Sequence, residues 1–249
     1  MNAPDDGGRN RETDTVNTPT IPTRAGTTSS PEELTADRVT KSLLGYGVIA
    51  GPIYVVASLT QALLREGFDL SRHAWSQLAL GDAGWVQVTN FVVTGLMLIA
   101  AAVGLRRALR TGPAATWSPR LLAAFGLSMI AAGAFPVDPA GGFPVGAEQA
   151  TTISATAAVH MLAGAVGFSC LAVALVLLAR RLSGEGFGRL AATCRTVGPL
   201  FLLAFVAMAS GLLGPAGIPT FVVAVLAVFA VLSVAFVHRY RQMPNTDGR

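Results

Sequence analysis

Three side chains with acid–base or hydrogen-bonding chemistry, Asn90, Asp138 and His160, fall at similar distances from basic loops in an otherwise apolar chain. His160 lies twenty residues before Arg180, or ~30 Å along a helix, and Asp138 eighteen residues after Arg120, or ~27 Å if that helix continues past Pro136. Asn90 precedes Arg106 by sixteen residues, ~24 Å, so the three stand near one level of a helical bundle. A carboxylate and an imidazole at one level could work as general acid and base or bind a divalent metal. They could equally hydrogen-bond to one another or to loop backbone and hold the loops in place. Spacing alone favours that structural role. The chain has no HExxH segment, no paired cysteines and no close carboxylate–histidine pair on one helix, so no metal and no cofactor is assigned. Cys170 and Cys194 read as small packing residues.

The elements that position these residues are six apolar runs, at about 43–64, 85–105, 120–136, 155–179, 196–214 and 218–237. Each approaches the ~20 residues that cross ~30 Å of hydrocarbon as a helix. With 52% hydrophobic and 13% charged residues, the chain has about half the charge of a soluble domain. The expected fold is all-α: an integral membrane bundle of six transmembrane helices over 38–241. A polar tail over 1–37, rich in Thr, Pro and Gly, is expected to be disordered, and 242–249 form a short C-terminal tail. No apolar stretch begins before Leu43, so the first helix reads as an uncleaved anchor. The Gly214-Pro215-Ala216-Gly217 break is read as a turn between two helices.

All 18 basic residues except Arg65 and Arg72 fall in the N-terminal tail, the second–third loop, the fourth–fifth loop or the C-terminal tail. By the positive-inside rule both termini are cytoplasmic and the protein resides in the cell membrane. The net charge of +4 is dispersed among these loops, which argues against nucleic acid and leaves membrane lipids as the expected partners. No Asp, Glu, Lys or Arg lies deep in any run, which counts against a transporter with a polar route. In the first outer loop, Phe68 to Leu80 reads as a short interfacial helix capped by Ser71, with Trp75 at the membrane surface. Gly47 and Gly51 form a GxxxG element suited to close packing within the chain.

The order Ser76-Gln77-Leu78-Ala79-Leu80-Gly81, Asn90-Phe91 with Gly95, Gly133 to Pro139, Gly142-Phe143-Pro144 and His160 resembles domain-of-unknown-function family 998. The resemblance covers roughly 43–237 and implies a polytopic membrane protein of about this number of spans. It raises the interest of Asp138 and His160 and assigns no substrate. Met161 stands where relatives often place a polar or acidic residue, which weakens an acid–base pair in that turn.

The leading functional expectation is an outer-leaflet pocket for a lipid or small apolar ligand, with Asn90, Asp138 and His160 as its polar groups and Trp75 and Trp85 at its rim. The alternative is a membrane-embedded enzyme for a lipid or isoprenoid, with His160 as base and Asp138 as acid or metal ligand. A small-molecule transporter is third.

Overall fold

The computed structural model describes Met1 and residues 30–244, and all of its regular structure is helical. Six long helices follow one another: α1 (Pro31–Leu64), α2 (Gly84–Leu109), α3 (Pro113–Ala134), α4 (Ala155–Gly184), α5 (Gly188–Ala209) and α6 (Gly217–Gln242). A 3-10 turn, Trp75–Ala79, lies between α1 and α2. Five of the helices are long and apolar enough to cross a membrane. The sixth, α3, carries Ser118, Pro119 and Arg120 near its start and falls outside that set.

The helices outrun the apolar runs at their polar ends. Residues 31–37, expected in the disordered tail, are the first turns of α1. Ser30 accepts the Glu33 N–H while the Glu33 carboxylate accepts the Ser30 N–H, a reciprocal cap, and Pro31 opens the helix. Residues 2–29 of the expected tail, and 245–249, lie outside the described residues. At the Gly214-Pro215-Ala216-Gly217 break two separate helices are found, as expected. α5 stops at Ala209, and Gly211 and Gly214 take positive φ to turn the chain into α6.

Each helix packs on its neighbours in sequence, and α6 returns to α1, so the six form a closed ring. Lipid offers helices no hydrophobic reason to associate, so contact depends on close approach at small residues. Gly95 of α2 and Gly126 of α3 face each other backbone to backbone; a Cβ on Gly126 would come within 2.6 Å of the Gly95 carbonyl oxygen. Gly47 and Gly51 of α1 receive the rings of Phe236 and Phe229 of α6, so the GxxxG element closes the ring within one chain. Gly198 of α5 lies against Ala172 and Leu175 of α4. Val56, Leu96, Leu127, Leu162, Leu203 and Val223 point outward and exposed, an apolar belt around the ring.

Two buried polar groupings sit in this frame. Between α1 and α2, Asn90 Nδ2 donates to the Tyr54 carbonyl and Ser58 Oγ, and Gln61 Nε2 donates to Gln87 Oε1 at 2.8 Å. At the arginine-rich end, Arg239 is 6% exposed yet paired: Glu185, at the end of α4, accepts from it and from Arg181. Burial opposes ionisation of Glu185, but the hydrogen bonds from Arg239 and Arg181 prevail and hold its carboxyl below the usual range.

The glycine contacts make a graded test of the ring. Gly126→Ala forces α2 and α3 apart and should cost about 1–3 kcal/mol. Gly184→Ala, with open space around it, should be neutral. Thermal unfolding in nanodiscs checks both, and equal melting temperatures would refute the close-contact account.

Candidate functional site

At the end opposite the arginines the loops 65–83 and 135–154 interlock into a cap. Its anchor is His73, fully buried. Its Nδ1 accepts the Asp69 N–H at 2.8 Å, and its Nε2 stands 2.9 Å from the Gly141 carbonyl oxygen. These partners require the proton on Nε2, so one ring ties the first loop to the second. Gln77 adds a parallel tie, donating from Nε2 to the Ala140 carbonyl while Oε1 accepts the Ala74 N–H. Arg65 donates to the carbonyls of Leu78 and Leu80, ending the 3-10 turn, and lies over the Phe143 ring. Arg72 pairs with Asp69. The two arginines that break the charge asymmetry are therefore both held in cap contacts.

Ser71 does not cap the expected helix. It donates to Asp69, which closes a tight local turn and holds Asp69 below the usual carboxylate range, while Gln77 caps the 3-10 turn that starts at Trp75. Nor is Trp75 a surface anchor. It is 5% exposed, packed against Tyr54 with ring centroids 5.9 Å apart, and it points down into the ring of helices.

Beneath the cap lies a cavity of ≈ 90 Å³ on the axis of the bundle. All six helices and the cap contribute to its wall, which is dominated by Tyr54, Phe91, Phe168, Phe205, Phe221 and Phe229. Along α6 the wall runs from Phe221 to Phe229, about 12 Å of helix. His160 is its principal polar side chain besides the cap's Trp75 and Ser76 and the hydroxyls of Tyr54 and Ser128. His160 Nδ1 lies 2.8 Å from the Phe135 carbonyl and 3.1 Å from that of Ala132, the last turn of α3. Both partners are acceptors, so Nδ1 carries a proton. Among the described residues no Asp, Glu, Lys or Arg lines the cavity, and no three His, Cys, Asp or Glu side chains converge elsewhere.

The residues expected to share one site are thus divided. Trp75 and His160 line the cavity; Asn90, Asp138 and Trp85 do not. Asn90 has the expected depth but faces α1, where Ser58 and the Tyr54 carbonyl engage it. Asp138 lies beyond the last turn of α3, because the helix stops at Ala134 and the chain runs extended through Phe135. Its Oδ2 accepts the Ser154 N–H at 2.8 Å, and Ser154, hydroxyl first and N–H second, holds its carboxyl below the usual range. The hydrogen bonds of His160 go to the end of α3 and that of Asp138 to Ser154, so the two form no acid–base pair. Trp85 is 67% exposed on the outside of α2, turned away because Gly84 packs against the backbone of Ala79.

Reading by depth missed the aromatic wall and the α1–α2 network. The second had a signal: Tyr54, Ser58 and Gln61, and Gln87, Asn90 and Thr94, recur at three- and four-residue steps and so share helix faces.

The cap makes a separate prediction. His73→Ala leaves the Gly141 carbonyl and the Asp69 N–H without their partner, at roughly 1–3 kcal/mol each when buried. Amide hydrogen exchange over 139–150 should quicken while exchange in α5 and α6 stays the same. Unchanged exchange in that loop would show that His73 does not tie it.

No curated protein and no solved structure matches the chain significantly. A family model does match, over residues 48–237, from within α1 to near the end of α6, and it takes in the cap and every helix that walls the cavity. On that match the chain belongs to the family described as protein of unknown function (DUF998).

Proposed function

We propose that this is a six-span protein of the cell membrane, both termini cytoplasmic, whose axial cavity holds a lipid or other small apolar ligand taken from the outer leaflet. The observation that carries the ligand reading is the cavity wall: aromatic and methionine side chains from all six helices and the cap converge on one space instead of filling it. A well-packed core leaves few voids larger than a water, and this one is several times the ~10–15 Å³ a water needs. The arginine distribution supports the orientation, since the cap end retains only Arg65 and Arg72, each engaged by the protein.

The enzymatic alternative has less support. It needs His160 as base with Asp138 as acid, and Asp138 is engaged by Ser154 outside the cavity. Transport has less still. Below Phe125 and Phe229 the axis is occupied by Leu98, Leu122, Leu171, Leu175 and Leu232, which offer an ion or polar solute nothing in place of its water.

Two experiments test the reading. Gly164 borders the cavity opposite the Phe168 and Phe205 rings at ordinary contact distance, so Gly164→Leu fills the space without meeting backbone. Native mass spectrometry of protein released from membrane should find a discrete apolar mass on the wild type and its loss from Gly164→Leu. Equal retention would remove the cavity as the binding site. For orientation, a cysteine at Val145 in the cap should react with a membrane-impermeant maleimide on intact cells, and one at Gly186 only after permeabilisation. The reverse pattern would invert the topology.

A further inference from the structure

Trp75 and His160 both line the cavity, and each carries a polar ring atom that the protein leaves without a hydrogen bond. The Trp75 indole Nε1–H is fully buried and has no hydrogen-bond partner. A buried donor left unmet is destabilising, and the residue that carries it is 95% removed from solvent and lines the cavity. His160 supplies the opposite polarity. Its Nδ1 proton is committed to the α3 carbonyls, so in the neutral ring Nε2 carries the lone pair, and among the described residues no protein group hydrogen-bonds to it. One unpaired donor and one unpaired acceptor thus belong to residues that line the same apolar space.

We infer that the cavity recognises a neutral hydroxyl at the end of an apolar chain, the hydroxyl oxygen accepting from Trp75 Nε1–H and its proton going to His160 Nε2. The inference rests on the cavity being a ligand site and narrows what it selects. A hydroxyl is the smallest group that donates and accepts at once. A carboxylate would satisfy Trp75 but turn its own lone pairs on the His160 lone pair, and as a buried charge it would find no cation in this wall. Phosphate and ammonium heads fail for want of a counter-charge. A bare hydrocarbon would fill the space and leave both polar groups unmet. Two lipid sources share the required chemistry, a single-chain alcohol and a diacylglycerol.

The test uses the full chain in phosphatidylcholine nanodiscs and three photoactivatable sixteen-carbon probes: hexadecanol, palmitic acid and hexadecane. Labelling is read on cavity peptides. The alcohol should bind about tenfold tighter than the hydrocarbon, the effect of one to two net hydrogen bonds, and tighter than the acid. Trp75→Phe retains the ring and removes the donor. His160→Asn retains an N–H for the α3 carbonyls and deletes Nε2, its own amide oxygen stopping short of that position. Each should bring the alcohol down toward the hydrocarbon and leave the hydrocarbon unchanged. Competition by unlabelled dioleoylglycerol would assign the acylglycerol source, and competition by hexadecanol alone the single-chain source. Equal affinity of all three probes at the cavity overturns hydroxyl recognition while leaving a ligand site. Failure of every probe to label the cavity peptides overturns the ligand site itself.

Discussion

The ring closes where Gly47 and Gly51 of α1 take the Phe236 and Phe229 rings of α6. Five consecutive helix contacts would give an open curved wall; the sixth makes an inside. Because apolar helices gain little from association in lipid, that closure needs a surface shaped to its partner, and two glycines one turn apart provide it. The large aromatic residues can then point inward. Phe229 meets both Tyr54 of α1 and Phe125 of α3, while Phe168, Phe201, Phe205 and Phe221 stack among themselves between α4, α5 and α6. Flat, stiff rings contributed from all six sides meet at angles that range from stacked to edge-on and do not interlock as aliphatic side chains do, and space remains at their centre.

The cap matters because that space reaches the end of the bundle. The cap loops are held by hydrogen bonds from three side chains of the first: His73 on Asp69 and Gly141, Gln77 on Ala74 and Ala140, Arg65 on Leu78 and Leu80, those to Gly141 and Ala140 crossing to the second loop. The Ser76-to-Gly81 segment, which carries part of the family resemblance, is therefore largely cap structure. Trp75, next to it, is positioned by these bonds and takes part in none of them.

The helices were legible because apolar length is an almost direct record of bilayer thickness. Their order, the separate α5 and α6, and the packing role of Gly47 and Gly51 all followed from composition and spacing. The site was legible only in part. Depth along a helix can be counted from an arginine, and His160 stands where the count puts it. Azimuth cannot be counted that way: Asn90 turns to α1 and Trp85 to the outside. Asp138 failed for a third reason, since the count assumed a helix past Phe135-Pro136, and the residue before a proline is driven out of helical geometry. The cavity left no local trace, since its wall takes a few residues from each helix and none of these helices is strongly one-sided in its polarity.

The two buried polar sets show why one reads as structure and the other as a site. Ser58, Gln61, Gln87, Asn90 and Thr94 turn almost entirely to one another and to the α1 backbone, and their bonds join two helices that are already neighbours. Trp75 and His160 come from different elements, a loop and a helix start, and each keeps one polar atom out of the protein's own network. An occupant that met both atoms would join the cap to α4, which no direct hydrogen bond between those residues does. Anything bound only in that arrangement stabilises it by mass action. Occupancy would therefore be felt in the order of the loops as well as in the cavity, and the first cap loop, whose side-chain hydrogen bonds otherwise stay within the two loops, would be the part of the molecule that reports whether the chamber is full.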